Sequence, residues 1–207
     1  MLALLALLTA RVEAQECRGI PARYAHAVAD RRELSDGTVQ YGGEAGVAIQ
    51  GKLGLYGNYS RADIGLAGSR TLSYGGGAYR QMRGGLLAAC FLAGYQMGKS
   101  YLINAAGTNE NLRITQGRAS LGAAASVGFT PLRGMRLTLF AVPSLLLGKR
   151  TLLAYDRSDT TSIAEQPSAV AYVGGASFIV SRVLARVAWV KAGDSEALIV
   201  LSGGIAW

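Results

Sequence analysis

The stretch 39–50, VQYGGEAGVAIQ, decides the fold. Its odd positions are Val39, Tyr41, Gly43, Ala45, Val47 and Ile49, and its even positions are Gln40, Gly42, Glu44, Gly46, Ala48 and Gln50. Successive side chains of a strand point to opposite faces, so one face of this segment is apolar and the other polar or small. The same period of two recurs at 53–62, 71–80, 85–98, 117–129, 136–150, 168–180, 183–192 and 197–207, and the less regular 23–30 brings the predicted strands to ten.

The connections carry the topology. One set is tight, at 51–52, 81–84, 130–135 and 181–182; the other is longer and polar, at 31–37, 63–70, 99–116 and 151–167, with a shorter member at 193–196. Tight turns at one end alternating with long loops at the other is the pattern of an up-and-down transmembrane barrel. Ten strands place both chain ends on the tight-turn side; eight strands is the alternative count. The sheet must close, because a strand edge in lipid leaves backbone N–H and C=O groups without partners.

Composition agrees and removes other classes. A chain of 207 residues is one domain of ordinary size. It is 50% apolar with 28 Gly and only 4 Pro, which fits neither disorder nor collagen nor a coiled coil. The longest uncharged run in the strand region, 166–181, has 16 residues and contains Pro167, Gly174 and Gly175, whereas a spanning helix needs ~20 apolar residues. In a narrow barrel, abundant Gly and Ala relieve crowding on the inner face.

Residues 2–10, LALLALLTA, followed by Val12-Glu13-Ala14, read as a signal peptide cleaved after Ala14. The expected organisation is a signal peptide at 1–14, a periplasmic segment at 15–22 and the barrel at 23–207. Export would give Cys17 and Cys90 an oxidising compartment. Cys90 has inward parity about five residues above a tight turn, and the six residues from Cys17 to Arg23 span ~20 Å when extended, so a Cys17–Cys90 disulfide is expected.

The last strand, ALIVLSGGIAW at 197–207, ends on an aromatic residue with Ile199, Leu201 and Ile205 in step with it. It resembles the C-terminal strand of small bacterial outer-membrane β-barrel proteins, with Trp in place of the more common Phe. The signal peptide, the alternation and the turn rhythm extend the resemblance over the mature chain. It implies a single all-β antiparallel barrel in the bacterial outer membrane. It also implies that Trp207 is an assembly signal, and that outer-membrane lipids and the barrel assembly machinery are the partners. No functional motif of one member is visible, so the resemblance carries over no functional residues.

Candidate chemistry is sparse. The only His is His26, near the start of the first strand; a hydrolytic centre would have to use it, and its place at the periplasmic end speaks for a barrel-wall residue. The expectation is therefore no enzymatic activity, with a lipid or peptide hydrolase using His26 as one alternative and a soluble lipocalin-like barrel as another. Residues 93–100, AGYQMGKS, fit a relaxed phosphate-loop pattern, but no helix pattern follows to present amides to phosphate. No nucleotide, metal or other cofactor is expected.

Lys and Arg exceed Asp and Glu by 21 to 13. They scatter at strand ends rather than forming an aromatic-interleaved stripe, which argues for lipid-interface anchoring and against nucleic acid. Strand parity assigns Gln40, Glu44, Tyr56, Asn58, Gln96, Arg118, Ser120 and Arg186 to the lumen. A buried carboxylate needs a partner, so Glu44 is expected to pair with Arg186 or Arg118. The expected role of the monomer is structural, adhesive or that of a narrow small-solute pore.

Overall fold

A computed structural model describes residues 25–33, 37–49, 53–63, 69–83, 87–102, 111–155 and 161–207. The predicted signal peptide, the segment 15–22 and Cys17 lie outside the described residues. The strands are β1 (Ala25–Glu33), β2 (Val39–Ile49), β3 (Leu53–Asp63), β4 (Arg70–Arg83), β5 (Leu87–Leu102), β6 (Leu112–Phe129), β7 (Met135–Tyr155), β8 (Thr161–Gln166), β9 (Ala169–Val180), β10 (Val183–Ala192) and β11 (Leu198–Ala206).

Every neighbouring pair is antiparallel, and β1 pairs with β11, so the sheet closes on itself. The wall has ten staves because β8 and β9 are two pieces of one. β8 pairs with the stretch of β7 from Lys149 to Ala154 and β9 with the stretch from Met135 to Leu146. Pro167, which has no N–H, falls at the break. Opposite it, β7 carries a bulge at Gly148, whose N–H donates to the Ser168 hydroxyl at 3.2 Å. The fold is thus a closed ten-stave up-and-down barrel, as the alternation and turn rhythm predict.

Two expectations need correction. The connections read as 99–116 and 151–167 are in part strand: β5 runs to Leu102, β6 starts at Leu112, β7 reaches Tyr155, and β8 lies inside the second. Outward positions there include Lys99, Arg113 and Arg150 beside apolar ones such as Leu152 and Ile163, so backbone pairing continues where charge interrupts the apolar face. The first strand likewise runs to Glu33 rather than stopping at Asp30. The bulge at Gly148 reverses parity, so Lys149 shares the inner face with Arg118 although the lower half of β7 turns its even positions inward.

The outer face carries the large apolar side chains, the reverse of what a soluble barrel requires. Val47, Leu55, Leu121, Leu139, Val187, Leu201 and Ile205 are exposed on it. Tyr41, Tyr59, Tyr74, Tyr95, Tyr172 and Trp189 flank this band towards the loop end, and Phe91, Phe178 and Trp207 towards the tight-turn end. Aromatic girdles around an aliphatic belt match the two interfaces of a bilayer.

Inside, two apolar clusters fill the barrel. The larger joins Cys90, Leu92, Ala124, Phe140, Val142, Ala188 and Val200; the smaller, nearer the tight turns, joins Val28, Ile179, Leu184 and Ala206.

Candidate functional site: the polar lumen

The eight predicted lumen residues are organised by cross-strand register. Because side chains directly opposite on neighbouring strands lie ~4.5–5.5 Å apart, successive partners trace rows around the inner wall. One row runs Glu44, Asn58, Gly75, Gln96, Arg118, Lys149. The row on its tight-turn side holds Tyr56, Gly77, Gly94 and Ser120. There the Tyr56 hydroxyl occupies the space that a Cβ at Gly77 or Gly94 would need, 2.7 and 2.9 Å away, so two glycines make room for one phenol.

The row on the loop side of Glu44 is the most polar. It starts at Thr138 on β7 and passes Ser177, Arg186, Ser202, Asp30, Gly42, Ser60, Ser73, Gly98 and Gln116 before returning to β7 at Thr151. The return is 13 residues from the start, one of them the bulged Gly148. Such a stagger is what closing ten tilted strands demands. This polar seam makes one turn of the wall, from near the tight turns to near the loops, and along β10 and β11 it runs between residues of the two apolar clusters. Phe140, Ala188 and Val200 lie on one side of it, and Val28, Ile179 and Leu184 on the other.

Asp30, Arg32, Glu44, Asn58, Ser60, Ser73, Gln96 and Arg186 line a chamber of about 240 Å³. Gln96 shares the inward face with Asn58 and Arg118 but is solvent-exposed, so water reaches this level. The polar side chains in and around the chamber are held by close neighbours. His26 Nε2 lies 3.3 Å from Glu44 Oε1, with both side chains more than nine-tenths buried. Arg32 Nη2 donates to Asp30 Oδ2 at 2.9 Å. Gln40 Nε2 donates to the Ser60 hydroxyl at 2.8 Å, and Arg186 Nη2 to the Ser202 hydroxyl at 3.2 Å.

His26 is a partner of Glu44 that parity counting did not supply. It becomes visible only in the register, where His26 stands opposite Gly46, two residues from Glu44. Arg118 is four strands away from Glu44, and its Nη2 donates to the Pro167 carbonyl at 3.3 Å. Sequence reading also passed over Thr138 and Ser177, 0% and 2% exposed. Their hydroxyls, with Asp30 Oδ1, Asn58 Oδ1 and Arg118 Nε, are buried atoms without a protein hydrogen-bond partner.

The other predicted sites fall as follows. Cys90 is buried on the inner wall, and no cysteine among the described residues is a free thiol; Cys17 lies outside them. Trp207 faces outward, and its N–H donates to the Ala25 carbonyl at 2.8 Å, closing the first and last strands. The 93–100 run lies within β5. Beyond the apolar band, where outward Arg150 meets Glu165 at 3.1 Å, burial and the Arg118 guanidinium hold the Lys149 ammonium below its ordinary range.

No protein-family model and no curated protein matches the sequence. Outer-membrane barrels are among the solved structures that match. The translocator domain of the autotransporter NalP from Neisseria meningitidis superposes with a TM-score of 0.48 at 14% identity, over 90% of this chain and 88% of that one. LpxR from Salmonella typhimurium gives 0.46 at 10% identity, over 88% and 100%. The beta domain of the Bordetella autotransporter Brka gives 0.36 at 13% identity, over 90% and 99%. At these values the three share a barrel architecture with this chain and lend it no site. One expectation does fall: the structures that match include LpxR, an outer-membrane enzyme, and the expectation that the chain is not an enzyme is withdrawn.

Proposed function

We propose that the protein is a barrel of the bacterial outer membrane that receives a small polar solute in its lumen from the loop side, without forming an open pore. The observation that carries this reading is the polar chamber of about 240 Å³ beside an apolar cluster that includes Leu92, Phe140 and Val142. Groups of both charge signs and several amides and hydroxyls converge there, as in sites that fix a small ligand's orientation. The apolar side chains deny ions a hydrated route through the barrel's centre.

The export and assembly steps belong to the same reading. The signal peptide 1–14 directs export, Trp207 is recognised by the barrel assembly machinery, and the barrel sits as a monomer among outer-membrane lipids. A Cys17–Cys90 disulfide ties the segment 15–22 into the periplasmic mouth; a gain of two hydrogens on reduction, read by mass spectrometry, checks the bond.

Planar-bilayer recording tests the role. The wild-type barrel should show no steady ion conductance, and Leu92→Ala with Phe140→Ala should open one. A steady open-pore current from the wild type would sink the reading.

A second reading rests on the His26–Glu44 contact. A carboxylate held against an imidazole is the orienting half of a hydrolytic centre, and a lipid or peptide hydrolase would use His26 as its base. Hydrolysis of ester substrates by the refolded barrel, lost in His26→Ala and reduced in Glu44→Gln, would establish it; turnover unchanged in His26→Ala would dismiss it.

A further inference from the structure

Five buried atoms without a protein hydrogen-bond partner fall in two adjacent rows. Thr138 Oγ1, Ser177 Oγ and Asp30 Oδ1 belong to one row of the wall, the polar seam, and Asn58 Oδ1 and Arg118 Nε to the row next to it. A hydroxyl buried between apolar layers costs free energy unless something bonds to it. Thr138 and Ser177 are directly opposite each other, and Ser177 is directly opposite Arg186, which lines the chamber. In the other direction Thr138 pairs with Gly128, one residue from the tight-turn end of β6. The seam therefore leads from the chamber to the tight-turn rim, past the apolar clusters rather than through them.

We propose that this lower arm of the seam is a water path connecting the chamber with the periplasmic mouth. Neighbouring polar side chains at ~4.5–5.5 Å spacing are close enough for one water to bridge each pair, and buried waters typically make about three such bonds. The Arg186 guanidinium borders the file and disfavours cations and hydronium there, as charged constrictions do in water-selective pores. The path thus passes water and resists cations. It lets solvent enter and leave the chamber when a solute binds or departs through the loop end. The inference rests on the packed-lumen reading above and adds a second, separately measurable property to it.

The test is osmotic shrinkage of proteoliposomes in a sucrose gradient, followed by stopped-flow light scattering. The wild type should shrink several-fold faster than protein-free vesicles, and Thr138→Val with Ser177→Ala should return the rate towards theirs. Removing an unsatisfied hydroxyl is close to isosteric and leaves the wall intact; heat-modifiable gel mobility verifies folding. Thr138→Ser with Ser177→Thr, which keeps both hydroxyls, should retain the fast rate, and each single variant offers an independent reading if the double variant does not fold. A wild-type rate equal to that of empty vesicles overturns the path, and so does a fast rate untouched by removing the hydroxyls. Steady ionic current in a planar bilayer would instead strike at the packed lumen, so the two failures are distinguishable.

Discussion

Single residues carry conformational and ionic strain that can be measured one at a time. Ser181 sits in the two-residue turn between β9 and β10 with a φ of 56°, a left-handed conformation that costs a side-chain-bearing residue roughly 1–2 kcal/mol, partly offset in glycine by entropy of roughly 0.5–1 kcal/mol. Ser181→Gly should therefore raise stability in urea titrations of the detergent-folded protein by about 0.5–1 kcal/mol. Glu44 and His26 are buried together, and Glu44→Ala leaves the imidazole without its acceptor, so a loss of about 1–3 kcal/mol is expected in the same assay. Lys149 offers a pH-dependent readout. Its ammonium is held below the ordinary range, so more of it is neutral at mildly alkaline pH, and an amine-reactive reagent should modify Lys149 ahead of Lys191 as the pH rises. Peptide mapping that finds the two lysines modified in parallel would remove this assignment.

At the scale of elements, parity was legible wherever the outer face is apolar. In β2, β10 and β11 the exposed positions Val47, Val187, Leu201 and Ile205 alternate with inward residues, and the lumen side follows by counting. Legibility ended where charge interrupts the apolar face: the outer parts of β5, β6 and β7 hold their ladders with Lys99, Arg113 and Arg150 outward, and hydrogen bonding leaves no mark on hydropathy. The bulge at Gly148 was equally silent, since one glycine in an apolar run announces neither its extra residue nor the parity change behind it. Thr138 and Ser177 had the right parity for the lumen, but a hydroxyl among Leu, Phe and Val reads as a tolerated core residue until the register sets the two face to face. Rows are tertiary facts, and no single strand contains one. The turn side of the topology is open to test through the described 130–134 connection. Protease added to intact cells should spare it and cut the connections at 103–110 and 156–160 first. Cleavage at 130–134 would invert the barrel.

For the whole molecule, the claim that organises all the others is that this wall stands in a bilayer with its even positions on β11 facing the lumen. Nitroxide labels placed singly at positions 199 to 205, in a background with Cys17 and Cys90 replaced, report this directly through collision with lipid-soluble oxygen and with a water-soluble nickel complex. Period two is expected: Ile199, Leu201, Gly203 and Ile205 reached by oxygen from lipid, and Val200, Ser202 and Gly204 sheltered from it. Oxygen access at the even positions, or nickel access along the whole strand, would contradict it.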